Sequence, residues 1–327
     1  MRKKQLILAS ALMIILGLIS IFTGIKGSAS GMKPGDKVFE GFKIEDIEKI
    51  ELTSTAAKAK TVLVKKENRW LIENRYNMDS DPSVVRKLFT AFNDSVAIHV
   101  NKFKEEELKN YQLSEANTVK LDIYKSGSKE PISFRLGKNH SFKENTGRYI
   151  YIESKKALVL VDVPLAYAAG QSSVWIKKFL PYHEQVAGVA LYSGTDILWK
   201  TERNNPKLGF SLPLPKNNNK SPNEISQLMF YAMQMRFMDI TPATNDFTAD
   251  PGLREISLYY NTFSGRTYKL SFLSKENGLL RCSISLMVNK AKTSFTKDYG
   301  SDEQIREELA EWHFKVPYQF YEMLFKL

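Results

Sequence analysis

The sequence predicts an α+β chain in which an N-terminal transmembrane helix precedes two tandem, internally repeated modules of antiparallel sheet with packed helices. Three observations predict it. An uncharged apolar run extends from Leu6 to Ile25, two long stretches show the same order of signals, and each stretch combines alternating apolar positions with one proline-led segment of helical spacing. With 327 residues, 43% of them hydrophobic, the chain has apolar material for two ordinary cores. The expected division is residues 1–30 as cytoplasmic tip, anchor and short linker, 31–183 as a first module and 184–327 as a second, degenerate copy.

The run LILASALMIILGLISIFTGI, from Leu6 to Ile25, matches a hydrocarbon core of roughly 30 Å at the helical rise per residue. Arg2, Lys3 and Lys4 hold the short leading end in the cytoplasm, which sends the rest of the chain across. The alternative is a cleaved signal peptide, with Gly27-Ser28-Ala29-Ser30 as the cleavage region. Both readings place the bulk of the chain outside a bacterial cytoplasmic membrane, and the uncleaved anchor makes the lipid bilayer a partner through Leu6 to Ile25.

The first module opens on Ile47, Ile50 and Leu52 and reaches a hairpin that closes at Trp70-Leu71-Ile72. Asp81-Pro82 then offers a capping side chain and a first-turn proline, followed by Val85, Leu88, Phe89 and Phe92 on one helical face. Strands follow at Val119, Leu121 and Ile123, at Ile132, Phe134 and Leu136, and from Arg148 to Glu153. A helical aromatic segment is expected around Trp175, Ile176 and Phe179.

The second module repeats the series. Val186, Val189 and Leu191 open it, and Phe210-Ser211-Leu212 closes the hairpin. Ser221-Pro222 with Glu224 makes a capping box before Ile225, Leu228, Met229 and Ala232. Strands follow at Ile256 and Leu258, at Tyr268, Leu270 and Phe272, and from Cys282 to Leu286, before closing helical segments that carry Ile305, Leu309, Trp312 and Phe320. The joint lies near Pro181 to Glu184, and Lys216 to Lys220 reads as a loop.

The order of these signals carries a resemblance. The segments "KKENRWLI", "DSDPSVVRKLFTAF", "NYQLSEANTVKLDIYKSG", "FRLGKN" and "GRYIYIESKKALVLVD" make residues 45–180 resemble the bacterial envelope family known as domain of unknown function 4340, with a weaker second copy after them. The chain departs from it at Tyr111-Gln112-Leu113, where family members tend to have Tyr-Gly-Leu. The resemblance implies an accessory role beside ABC-type exporters of gliding-like systems, with a permease or substrate-binding-like subunit as partner. It supplies no catalytic residues.

Nothing in the sequence assembles a reactive centre, and no catalytic, cofactor-binding or metal-ligating residue is assigned. His99, His140, His183 and His313 lack a second ligand at metal spacing. The acid pair Asp79 and Asp81 could suggest a cation site, but Asp81 reads as the helix cap; Ser126-Gly127-Ser128-Lys129 reads as a hairpin turn, and Cys282 as a small buried hydrophobe. Trp70, Trp175 and Trp312 read as core, with Trp199 less constrained. The net charge of +11 comes with lysines scattered among acids between Lys33 and Lys178, which suits anionic lipid or glycan and gives no stripe for nucleic acid. The expected function is therefore a membrane-anchored, non-catalytic extracytoplasmic accessory protein docking onto an ABC-type complex. The alternative is an envelope binding module that uses its lysine-rich first half to hold peptidoglycan or another anionic polymer.

Overall fold

The computed structural model describes residues 31–142, 145–211, 221–244, 250, 252–289 and 301–325. Among them, sixteen strands outnumber four α-helices, which corrects the α+β class: this is a mostly β chain built on antiparallel sheets. The anchor expected at residues 6–25 lies outside the described residues, as does the loop at 216–220. No described helix is long and apolar enough to cross a membrane.

Two helical expectations fail for local reasons. Around Trp175 the chain makes only a short 3-10 turn at Ser172–Val174, and Ile176 is taken up in a β-bridge with Ser80 instead of continuing a helix. Trp312 opens a strand, Trp312–Pro317, in which His313, Phe314 and Val316 are buried.

Contacts divide the chain into one unit of Met1–Asn74 and Pro82–Trp175 and another of Arg75–Asp81 and Ile176–Leu327. The first unit contains β1 (Ile47–Ser54), β2 (Ala59–Lys66) and β3 (Arg69–Ile72), then α1 (Pro82–Asp94) and β5 (Ala97–Asn101). Its remaining strands are β6 (Val119–Lys125), β7 (Ile132–Phe142), β8 (Asn145–Ile152) and β9 (Ala157–Val161). They pair in the order β3-β2-β1-β6-β7-β8-β9-β5. Val84, Val85, Leu88, Phe89 and Phe92 bury one face of α1. The rings of Phe92 and Phe39 stack at 4.4 Å, and Phe134 lies 4.7 Å from Phe39. Burying one such ring is worth about 1.5–3 kcal/mol, so this cluster anchors the covering layer on the sheet.

The second unit takes the two-residue strand β4 (Met78–Asp79), then β10 (Val186–Ser193), β11 (Asp196–Glu202), α2 (Pro222–Gln234) and β12 (Asp239–Pro242). It continues with β13 (Ile256–Thr262), β14 (Arg266–Glu276), β15 (Leu279–Val288), α3 (Asp302–Ala310), β16 (Trp312–Pro317) and α4 (Tyr318–Phe325). Its sheet runs β11-β10-β13-β14-β15-β16-β12. The capping box at α2 is present: the Ser221 hydroxyl accepts from the Glu224 amide, and the Glu224 carboxylate accepts from the Ser221 amide. Tyr260 donates its hydroxyl to the Ala232 carbonyl at 2.8 Å, which ties α2 to the sheet.

Seven strands of the first sheet, β2-β1-β6-β7-β8-β9-β5, match the order β11-β10-β13-β14-β15-β16-β12 of the second, and β3 extends the first beyond β2 without a counterpart. Their registers also agree. Leu52, Leu121, Phe134 and Ile152 form one cross-strand row in the first sheet, and Leu191, Leu258, Leu270 and Ile284 form its counterpart in the second. All eight are buried, because one face of each sheet is core.

The first sheet has one irregularity that matters below. In β7 the register with β8 shifts between Leu136 and Asn139, a bulge centred on Gly137. A Cβ at Gly137 would sit 2.3 Å from the Tyr111 carbonyl oxygen and 2.9 Å from Leu113, so only glycine permits this approach. Gly137→Ala should therefore destabilise the protein by about 1–3 kcal/mol, the usual penalty for forcing a group into filled space. Thermal unfolding would show a melting temperature lowered by several degrees; an unchanged one would contradict the packing described.

Candidate functional site

The bulge positions an arginine. In β8, Arg148, Ile150 and Ile152 share one face, and Arg148 stands at the end of the buried row. Its Nε donates to the Gly137 carbonyl at 2.9 Å and its Nη1 to the Leu165 carbonyl at 3.2 Å. Two of the five guanidinium donors are thus engaged, both by neutral acceptors. Burial pushes the pKa of Arg148 down to about 10, with no nearby carboxylate to offset the loss of water. The group is a cation at neutral pH that lacks a counter-charge among the described residues.

It opens onto a cavity of 480 Å³. Lys138, Gln112, Asn139, Gln171 and Ser54 also line this space, and no aspartate or glutamate does. Small residues from Ala168 to Gly170 complete the wall. They lie close because Gly170 has no side chain: a Cβ there would meet the Ser54 amide nitrogen at 2.7 Å, and Thr61 donates to the Gly170 carbonyl at 2.9 Å. At the rim, the Lys138 ammonium lies 5.8 Å from the Tyr111 ring centroid, and Tyr111 packs on Tyr149 at 4.7 Å. The space is lined by one arginine, one lysine and three amide-bearing residues, which suits a carboxylate or phosphate with hydroxyl neighbours.

Backbone strain marks the same place. Gln112 is in the left-handed region at φ 57° and Leu165 at φ 47°, conformations that favour glycine. Here a strained backbone keeps an amide on the cavity wall.

The duplicated register gives an internal comparison. Ile150 pairs with Leu136 and Val159, as Cys282 pairs with Phe272 and Phe314; one row on, Arg148 pairs with Val161 as Leu280 pairs with Val316. Arg148 therefore holds the place that fully buried Leu280 fills in the second sheet. Leucine satisfies the packing of this architecture at that position, so packing alone does not require the guanidinium.

The residues singled out from the sequence lie elsewhere. His99, His140 and His183 are exposed, while His313 is buried on β16, where burial and the Arg281 charge hold its pKa below the ordinary histidine value. Among the described residues no three metal-ligating side chains converge. Ser126 to Lys129 turns between β6 and β7, with Gly127 at φ 75° and the Ser128 amide donating to the Lys125 carbonyl. Cys282 is fully buried, which raises its thiol pKa well above normal. Trp199 is also fully buried, whereas Trp312 is partly exposed, so the relative ranking of these two tryptophans is reversed.

Arg148 itself was readable only as the first residue of a strand. The missed signal is its parity: it is in phase with Ile150 and Ile152, on the face that must be buried. No family model, no curated protein and no solved structure matches the chain.

The strain at Gln112 yields a test. Gln112→Gly should stabilise the fold by about 0.5–1 kcal/mol, by relieving the left-handed conformation. It should also weaken retention on an anionic matrix. A variant that is less stable, or that is retained more tightly, would show that Gln112 has no place in the site.

Proposed function

We propose that the protein is a non-enzymatic binding module of the cell envelope that holds an anionic polymer through the Arg148 cavity of its first unit. The observation that carries this reading is a half-buried arginine on the core-facing side of β8, with no carboxylate partner among the described residues, at a position the second unit fills with leucine. A bound anion would supply the missing counter-charge, and the amides of Gln112, Asn139 and Gln171 would pair with its hydroxyls. The envelope setting rests on the family resemblance of residues 45–180. Nothing in the cavity resembles a nucleophile with its base, so the reading is recognition without chemistry.

One further observation favours a second reading. Phe230 and Tyr231 stand exposed side by side on α2 of the second unit, with ring centroids 6.2 Å apart. Such a pair suits contact with a partner protein, for which an ABC-type permease or substrate-binding-like subunit is the class implied by the resemblance. Crosslinking from a photoreactive residue at position 230 in native membranes should then capture such a subunit; recovery of none would remove this reading.

The principal test is Arg148→Leu, which installs the residue of the second unit. Retention on purified cell-wall polymer should weaken by about tenfold to a hundredfold, as expected for loss of a charge-assisted contact worth about 1.5–3 kcal/mol. The melting temperature should stay within a few degrees, since leucine suits the position. Retention equal to that of the wild type would refute the proposal.

A further inference from the structure

A second cavity in the first unit extends the site, and the inference drawn from it rests on the anion-binding reading above. This space, of 390 Å³, is lined by Arg86, Lys87, Thr90 and Asp94 of α1 and by residues 163–167. Pro164 and Ala166 line both cavities, and Leu165 between them lines the second while its carbonyl accepts from Arg148. The two spaces therefore lie on either side of one short ridge. The second also carries a cationic excess, Arg86 and Lys87 against the single carboxylate of Asp94. Lys87 holds its ammonium 5.2 Å from the Tyr167 ring centroid, which places that charge against the ridge. Arg86 and Lys87 are both exposed, so neither is committed to the core of α1.

A single small anion occupies one side of this ridge only. A linear chain with anionic groups at intervals engages both, and the second contact then forms at a high effective concentration. We propose that the two cavities form one bipartite site for a linear carboxylated glycan, with Arg148 and Lys138 holding one acidic sugar and Arg86 and Lys87 another. The lining of the first cavity favours glycan over nucleic acid. It contains no aromatic side chain on which a base would stack, the Tyr167 ring of the second cavity already faces the Lys87 ammonium, and the amides match sugar hydroxyls and carboxylates.

Calorimetric titration of the full chain with galacturonate and with oligogalacturonates of increasing length tests this. Affinity should rise by about tenfold or more from the monosaccharide to a chain long enough to cross the ridge, and then level off. The exposed pair Arg86→Gln and Lys87→Gln should abolish the gain with length, whereas Arg148→Leu should lower affinity at every length. Binding that depends on Arg148 but not on length, or that ignores the double substitution, would overturn the bipartite site and leave the anion-binding reading standing. Absence of any Arg148-dependent binding would overturn both. Oligothymidylate bound more tightly than an oligogalacturonate of equal charge would overturn the choice of glycan.

Discussion

In each unit, antiparallel pairing with one buried face fixes which side chains share a row, and everything else follows from that register. A slip of one residue would exchange the two faces of every strand, so the row from Leu52 through Leu121 and Phe134 to Ile152 is strongly determined. The same register brings Arg148 to the end of the buried face. It also sets the β7 bulge beside it, where the Gly137 carbonyl is available to the guanidinium. A charged residue on that face is unfavourable unless something compensates, and two backbone carbonyls compensate only in part. The cavity, the left-handed Gln112 and the left-handed Leu165 all gather around this half-buried guanidinium, which has no carboxylate partner among the described residues.

Duplication makes the point sharper. Two sheets that share order and register over seven strands satisfy the same packing problem, one with Leu280 and the other with Arg148. The shared architecture explains the shared residues, and the difference identifies what the first unit has in addition. The proposed function accordingly belongs to one unit rather than to both.

Much of the element pattern was legible in the sequence because period-two alternation is a direct record of a half-buried strand. The strands through Leu52, Leu121 and Phe134 show it, and the proline-led helices begin at Pro82 and Pro222. The class was misjudged because helices announce themselves through caps and prolines, while short strands such as β5 and β12 carry few residues and little pattern. Trp312 was assigned to a helix for a similar reason: its strand begins directly after α3, so the apolar positions of helix and strand run together. The site was the least legible part. Its charge comes from β8, its amides from three separate segments and its strain from two loop residues, and no local spacing links them. Arg148 could have been singled out only by aligning the two repeats and noticing a cation in phase with an apolar face.

The most direct measurement is nuclear magnetic resonance of arginine side chains, following the Nε–Hε signal of Arg148 while oligogalacturonate is added. The account predicts that this signal shifts progressively and saturates with the binding curve, while that of Arg203, whose guanidinium is held by the Val186, Pro206 and Leu208 carbonyls of the second unit, stays in place. A saturating ligand that leaves the Arg148 signal unmoved would contradict it.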